Sequence, residues 1–121
     1  MRVFSFTSLV FILLSFSGSE IEKGIASFYS SSMNGHKTSS GEVFNNNLFT
    51  AAHKSLVLGT MVKVTNLKND SIVLLKINDR LSKSSSHVID VTLAAAKKLN
   101  FVRNGLTTVT IEIVANKNEK K

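Results

Sequence analysis

The stretch TMVKVTNLKNDSIVLLKINDR, residues 60–80, decides the fold of this 121-residue chain. Residues 60–67 alternate apolar and polar side chains, which is typical of a strand with one buried face. Residues 68–70 (KND) favour a tight turn, and a second strand-like apolar run follows over residues 71–78. The stretch therefore predicts a β-hairpin, preceded by the chain-breaking Gly59.

Downstream of the hairpin, a short strand is predicted to run directly into a helix. Residues 88–91 (VIDV) have the composition of a buried strand, and residues 92–100 (TLAAAKKLN) have that of an amphipathic helix. Thr92 is the expected N-cap, and Asn100 is the expected left-handed residue at the C-terminal end.

Strand patterns nearer the two ends of the chain complete the predicted fold. Residues 24–32 (GIASFYSSS) are typical of a strand, and residues 107–114 (TTVTIEIV) alternate cleanly between apolar and polar side chains. Residues 34–42 (NGHKTSSGE) have the composition of a loop. About six short strands and one helix predict a mainly β protein that closes into a small barrel, because a flat sheet would leave its edges unpaired.

The N-terminal segment predicts export. Arg2 precedes an apolar and hydroxyl run over residues 3–16, and small residues follow, so residues 1–19 are predicted to be a cleaved signal peptide. The run is shorter than the ~20 residues of a membrane-spanning helix; an uncleaved N-terminal anchor is the alternative. The folded domain is then expected over residues 20–115, with a basic tail at 116–121.

The composition narrows the possible partners and chemistry. The chain contains no Cys, which excludes thiolate catalysis, thiolate metal sites and a lipid-modified N-terminal cysteine. Its net charge is +7, which in an exported protein favours an anionic surface such as a wall polymer or lipid headgroups. Solubility is the alternative explanation. Nucleic-acid binding is not expected because the basic residues are scattered.

A metal site is not expected either. His36, His53 and His87 fall at no spacing typical of zinc ligands, and no phosphate-binding glycine loop is present. The sequence therefore predicts no metal and no cofactor.

Two aspartates at the ends of apolar runs are the candidate functional groups. Counted along a regular strand, Asp79 shares a face with Leu75 and Ile77, where burial would raise the pKa of its carboxyl group. The alternative is a turn residue that pairs with Arg80. For Asp90 the alternative is helix capping, since it lies just before the predicted helix.

Four segments of the chain closely resemble the RlpA-like double-psi β-barrel family of bacterial cell-envelope lytic transglycosylases, which is more distantly related to expansins. The resemblance implies a six-stranded double-psi β-barrel with one short α-helix and a substrate groove along one face. The segments are GIASFYSS (24–31), GHKTSSGEVFNNNLFTAAHKSLVLGTMVKVTNLKND (35–70), VLLKINDR (73–80) and HVIDVTLAAAKKL (87–99).

The resemblance also implies the site. His53 and Asp79 match the family residues associated with activity, and His53 would contact the sugar or orient Asp79. The alternative for His53 is a core histidine that hydrogen-bonds to the backbone. The further residues expected to bind or support the substrate are Asp90, Thr38, Ser39, Tyr29 and Arg80.

The implied activity is cleavage of the MurNAc–GlcNAc bonds of peptidoglycan glycan strands to 1,6-anhydro ends, in wall remodelling and daughter-cell separation. A single carboxyl group can serve as acid and then base. Asp79 is expected to hold the proton while Asp90, kept charged by the helix terminus, stays ionised. The protein is expected to be a monomer in the periplasm or cell wall, without stable membrane insertion.

A non-catalytic, expansin-like wall-binding or wall-loosening module is the alternative function. One departure from the family pattern favours it: Leu81-Ser82 follow Arg80 where Gly-Pro is usual. Phe28, which stands where tryptophan is usual, bears on substrate affinity more than on the chemistry.

Overall fold

The predicted hairpin lies at the centre of the structure, a computed structural model that describes residues 20–116. The elements are strands β1 (Ile21–Phe28), β2 (Thr50–His53), β3 (Met61–Asn66), β4 (Ile72–Arg80), β5 (Ile89–Val91) and β6 (Thr107–Ala115), with helix α1 (Leu93–Lys98) and a short 3₁₀ turn (Ser31–Met33). Strands β3 and β4 pair antiparallel, and Asp70 takes a left-handed φ of 62° in the turn between them.

The six strands close into a barrel in the order β1-β5-β2-β4-β3-β6. The β1–β5 and β2–β4 pairs are parallel, and the other four pairs are antiparallel. Because β6 pairs with β1, the sheet has no free edge. The mainly β class, the six strands and the short helix are therefore confirmed.

The interior of the barrel is the hydrophobic core of the described residues. Helix α1 covers one part of it through Ala95 and Ala96. Thr92 is the N-cap, since its Oγ1 accepts from the Ala95 N–H at 3.3 Å, and Asn100 takes a left-handed φ of 58°. Both helix-end predictions are confirmed. The core cluster consists of Ala26, Ala51, Val62, Val64, Val73, Leu75, Ile77, Ile89, Val91, Ala95, Ala96, Leu99, Phe101, Val109 and Ile111.

A β-bulge in β4 changes which way Asp79 points. Ala51 pairs with Ile77 and Ala52 pairs with Asp79, so Asn78 is an extra residue on the β4 side. Paired residues point to the same face and neighbouring residues to opposite faces, so Asp79 points away from the core that holds Ile77. The prediction that Asp79 shares a face with Leu75 and Ile77 is therefore wrong, because it assumed a regular strand.

A close approach between β1 and the segment before β5 requires a glycine. A Cβ atom on Gly24 would lie 2.5 Å from Val88 Cγ1 and 2.9 Å from Cγ2. Val88 also donates its backbone N–H to Ile25 at 2.9 Å. The missing side chain at Gly24 thus lets Val88 pack against β1 and helps to place β5.

The predicted signal peptide (1–19) and most of the predicted basic tail lie outside the described residues. Among residues 20–116, no helix is long and apolar enough to cross a membrane.

Candidate active site

The two candidate aspartates lie on the outer face of the barrel. Asp79 pairs with Ala52 of β2, Ala52 pairs with Asp90 of β5, and Asp90 pairs with Ser27 of β1. These four residues form a row across neighbouring strands. The backbones of Asp79 and Asp90 are thus two strand spacings apart, about 10 Å, with the small side chain of Ala52 between them.

Four hydrogen bonds from three chain segments hold the Asp79 carboxylate. Ser39 donates its backbone N–H and its hydroxyl to Oδ1, both at 2.9 Å, and the Arg80 backbone N–H donates to the same oxygen at 2.9 Å. The Tyr29 hydroxyl donates to Oδ2 at 2.5 Å. We call these donors the Asp79 cradle. It fixes both carboxylate oxygens while the side chain stays partly exposed.

The cradle makes Asp79 a stronger acid. Partial burial raises the pKa of this carboxyl group, but the hydrogen bonds from Tyr29, Ser39 and Arg80 outweigh burial and hold the pKa below its ordinary value. In the substrate-free protein Asp79 is therefore ionised at neutral pH. The expectation that its surroundings raise this pKa is wrong, because the bulge turns Asp79 out of the apolar interior and towards donors.

Asp90 has the opposite environment. Its Oδ1 is buried without a hydrogen bond, and the nearest charged partner is His87 Nε2 at 3.5 Å. Burial raises the pKa of Asp90 and is the largest effect, His87 lowers it by a smaller amount, and the nearby Asp79 raises it by the smallest amount. The expected order of the two pKa values, with that of Asp79 raised and that of Asp90 kept low, is thus reversed in the free protein.

Helix capping does not account for Asp90. The helix N-terminus is capped by Thr92, and the Leu93 N–H is taken by Asn46 Oδ1 at 2.7 Å. Since other residues satisfy these groups, the capping alternative for Asp90 is wrong.

Tyr29 extends from the end of β1 over this face. Its ring packs on Phe44 with a centroid distance of 4.3 Å. Burial, the hydrogen bond to Asp79 and the nearby carboxylates raise the pKa of Tyr29 far above its ordinary value, so the hydroxyl remains a donor. The neighbouring Phe28 instead points inwards and contacts Phe101 edge-on at 5.8 Å.

His53 lies on the opposite face of β2 from Asp79. It pairs with the core residue Ile89, is 4% exposed, and its Nε2 lies 2.7 Å from Glu22 Oε1. Its Nδ1 accepts the backbone N–H groups of Ser55 and Leu56 at 3.1 and 3.0 Å, so Nε2 is the nitrogen that donates to Glu22.

This geometry matches the alternative of a core histidine bonded to the backbone. The His53 side chain does not orient Asp79 directly. It is connected to the site through the backbone, because its carbonyl oxygen accepts from the Arg80 guanidinium at 3.2 Å and from the Leu81 N–H at 3.2 Å.

Of the remaining predicted residues, some contact the Asp79 carboxylate and others hold the segments around it in place. Ser39 and Tyr29 touch Asp79 directly. Arg80 contributes its backbone N–H, while its guanidinium donates to His53, so the predicted Arg80–Asp79 side-chain pair is not what is found. Thr38 is 8% exposed and donates to the Glu42 carbonyl oxygen at 2.8 Å, which shapes the loop that presents Ser39.

A polar cluster next to the cradle has no counterpart in the sequence predictions. Glu42 accepts from Lys76 Nζ at 2.7 Å and from Asn78 Nδ2 at 3.0 Å, and these contacts lower the pKa of Glu42. All three residues line a cleft of about 420 Å³ that also includes Ser39. Glu42 lies in a loop and Asn78 is the bulge residue, so the alternation of apolar and polar residues in the sequence does not predict their hydrogen bond.

Metal-ligand geometry is absent from this part of the chain: among residues 20–116, no three His, Asp or Glu side chains are grouped to hold an ion.

The sequence comparisons agree with this architecture. Residues 21–111 match the family described as "Lytic transglycolase". The chain belongs to this family, whose fold is the double-psi β-barrel. Proteins named endolytic peptidoglycan transglycosylase RlpA are similar to it: 45% identity over 91 residues in Pasteurella multocida (75% of this chain, 31% of the relative), and 45% over 102 residues in Rickettsia felis (82% and 45%). The chain thus spans about a third to a half of these relatives' length.

Two solved structures share the fold alone. The Streptomyces papain inhibitor superposes with a TM-score of 0.65 at 18% identity, covering 78% of this chain and 94% of that one. Cerato-platanin 3 from M. perniciosa superposes with a TM-score of 0.56 at 13% identity, covering 77% and 94%.

Proposed function

We propose that this protein is an endolytic lytic transglycosylase that cleaves the MurNAc–GlcNAc bonds of peptidoglycan and leaves 1,6-anhydro-MurNAc ends. The names of its relatives support this activity. The observation that carries it is the Asp79 cradle, which fixes a partly exposed carboxylate beside a cleft lined by hydroxyl, amide and charged side chains. We propose peptidoglycan glycan strands as the partner, in wall remodelling.

In the proposed reaction Asp79 acts first as acid and then as base. Its carboxyl proton moves to the glycosidic oxygen as the bond from that oxygen to the anomeric carbon breaks. The 6-hydroxyl of the same MurNAc attacks the anomeric carbon, and its proton returns to Asp79. No water is consumed, so a second carboxylate to activate water is not needed.

Asp79 must gain a proton before this step, since the cradle keeps it ionised in the free protein. A sugar in the groove would exclude water from the carboxylate, and burial favours the neutral acid. A sugar hydroxyl that displaced the Tyr29 hydroxyl from Oδ2 would also remove one of the bonds that stabilise the charge. Substrate binding thus raises the pKa of Asp79 towards the range a general acid needs.

The other predicted residues keep supporting roles in this proposal. Tyr29 and Ser39 position Asp79, and Asp90 places a second carboxyl group on the same face. His53 acts from the other side of β2 by fixing the backbone next to Arg80; a direct catalytic role for His53 stays a prediction. We also propose that residues 1–19 direct export and that the protein acts outside the cytoplasm as a monomer.

A non-catalytic wall-binding module is the second candidate. The observation that favours it is the ionised, fully hydrogen-bonded Asp79 of the free protein, which suits a group that grips a polysaccharide hydroxyl.

The test is mass spectrometry of soluble products after the 20–121 protein is incubated with peptidoglycan sacculi and with glycan strands stripped of stem peptides. We expect anhydro-terminated fragments from the wild type. Asp79→Asn should lower their rate by about 100- to 10,000-fold, the usual contribution of a general acid–base group. Lys83→Gln, an exposed change in the loop before β5, is the matched control and should retain the wild-type rate.

The products separate the candidates. Reducing-end fragments would indicate a hydrolase and contradict transglycosylation. Binding to sacculi without any fragments would favour the wall-binding module. Wild-type rates in a folded Asp79→Asn protein would rule out Asp79 as the acid.

A further inference from the structure

An open cleft of about 430 Å³ lies on the outside of the barrel, away from the candidate active site. Its apolar side chains are exposed: Ile25 at 37%, Leu67 at 42% and Leu106 at 52%. The cleft is built on paired backbone, since Ile25 pairs with Thr108 and the Leu67 N–H donates to the Thr108 carbonyl oxygen at 3.0 Å. The apolar side chains therefore sit on a rigid part of the sheet.

The turn between β3 and β4 is tied to the end of helix α1 beside this cleft. The Leu99 carbonyl oxygen accepts from the Asn66 amide at 2.8 Å, the Asn69 amide at 3.2 Å and the Ser71 hydroxyl at 3.1 Å. Three donors on one helix-end carbonyl hold the two segments together, so charged side chains on both belong to one surface.

Four exposed cations lie on these two segments and on the turn that follows the helix. Lys68 lines the cleft itself, Lys97 and Lys98 occupy the last turn of α1, and Arg103 precedes Leu106 by three residues. We call these four residues the basic cluster. Lys97 and Lys98 also complement the helix dipole, but that effect does not account for Lys68 or Arg103.

Acidic groups do little to neutralise the basic cluster. Asp70 lies on the same turn, whereas several other carboxylates of the described residues are paired elsewhere. Glu112 pairs with Lys63, Glu42 with Lys76 and Glu22 with His53. The cluster therefore keeps a net positive charge next to exposed apolar side chains.

The turn that carries Lys68 and the Asp79 cradle lie at opposite ends of β4, although the β1 side of the cleft at Ile25 is two residues from Ser27 of the outer row. The strand begins at Ile72, next to the tied turn, and ends at Arg80, next to the Asp79 cradle. Nine residues of strand span roughly 25 Å. A surface that covered the basic cluster would thus leave the cradle open.

We propose that the cleft and the basic cluster together dock this protein onto the surface of an anionic phospholipid membrane. Cations would interact with lipid phosphates, and Leu67, Leu106 and Ile25 would enter the interfacial layer; a purely polysaccharide or polyphosphate partner would use the cations alone. The docked protein would direct its active-site face away from the lipid. The inference is independent of the proposed reaction.

The test is co-sedimentation of the 20–121 protein with phosphatidylglycerol-containing vesicles and with phosphatidylcholine vesicles. This protein contains the six described strands and the core cluster. We expect binding to the first only. Lys68→Gln/Arg103→Gln should weaken the vesicle partition by about 20-fold, from about fivefold per cation near an anionic surface. The matched control Lys37→Gln/Lys83→Gln removes two exposed cations outside the cluster and should bind like wild type.

A second variant tests the apolar part. Leu67→Ser/Leu106→Ser changes two exposed side chains, so it should fold, and its binding should weaken most at high salt, where the electrostatic part is screened. Unfolding curves confirm that each variant is folded. Equal binding to both vesicle types, equal losses in the two charge variants, or unchanged binding of the leucine variant would each overturn the proposal. If the leucine variant binds vesicles like wild type and the protein also binds dextran sulfate as tightly as vesicles, the basic cluster is a site for an anionic polymer.

Discussion

Asp79 and Asp90 occupy the same outer face, one on each side of Ala52, yet their carboxyl groups have opposite surroundings. Asp79 receives four hydrogen bonds from a tyrosine, a serine and two backbone groups, which lower its pKa. Asp90 is partly buried and its Oδ1 lacks a hydrogen bond, and this burial raises its pKa.

The difference shows that strand position alone does not determine how an aspartate behaves. Both residues lie where a strand ends, but only Asp79 is within reach of the loop that contains Ser39. The donors come from segments up to 50 positions away along the chain. The loop that carries Ser39 therefore determines which of the two carboxyl groups is the stronger acid.

Removing the Tyr29 hydroxyl should reduce the difference between the pKa values of Asp79 and Asp90. Tyr29→Phe deletes the donor to Asp79 Oδ2, so the pKa of Asp79 should rise and the free energy of unfolding at neutral pH should fall by about 1.5 to 3 kcal/mol, typical for a hydrogen bond to a charged group. An Asp79 stabilised as the anion stabilises the fold above its unfolded pKa, and this is lost as pH falls through its folded pKa. The difference between wild type and variant should therefore shrink in acid.

Carboxyl NMR titration and urea unfolding at neutral and acidic pH measure both effects. Ser39→Ala is the matched control: it removes one donor to Oδ1 but leaves the Ser39 N–H in place, so its effect should be smaller. An unchanged pKa of Asp79 in Tyr29→Phe would contradict the role assigned to the cradle.

A change at Gly24 should disturb Asp90 and spare Asp79. The new Cβ of Gly24→Ala would collide with Val88, two residues before Asp90, and such overpacking costs about 1 to 3 kcal/mol of unfolding free energy. Denaturant unfolding measures the cost. In the Val88→Ala background the same substitution should cost less, because the colliding methyl groups are gone.

The carboxyl titrations of this variant sharpen the comparison between the two aspartates. We expect the Asp90 titration to move and the Asp79 titration to stay, because three of the four cradle donors belong to β4 and to the loop that carries Ser39, and Tyr29 lies five residues beyond Gly24. Equal movement of both pKa values would mean that the outer row responds as one unit.

Much of the barrel could be predicted from local patterns. The alternation in residues 60–67 and 107–114 corresponds to β3 and β6, and Val73, Leu75 and Ile77 of β4 point inwards. Thr92 and Asn100 could be assigned because capping depends on neighbouring backbone groups. These features depend on residues close together in the sequence, so the spacing of apolar residues and the strand and helix propensities are enough to predict them.

The environment of the site could not be predicted in the same way. The bulge at Asn78 reverses the direction of Asp79, and nothing in the residues of β4 indicates an extra residue there. The contacts of Ser39 with Asp79 and of Glu22 with His53 join positions 40 and 31 residues apart. Such contacts depend on how the barrel closes, so the pKa directions of the two aspartates could be inferred only from the folded structure.

The smallest expected effect is at Asp90 itself. Because burial raises its pKa, the ionised group destabilises the fold at neutral pH, and this penalty disappears below the unfolded pKa of about 3.9, where both states are protonated. Asp90→Asn should therefore raise the free energy of unfolding by about 0.5 to 1 kcal/mol at neutral pH and leave it unchanged in strong acid. Asp79→Asn should do the reverse and lose stability at neutral pH. Urea unfolding across this pH range measures both variants together. A loss of stability in Asp90→Asn at neutral pH would mean that His87 stabilises the Asp90 anion more than burial destabilises it, which would contradict a raised pKa for Asp90.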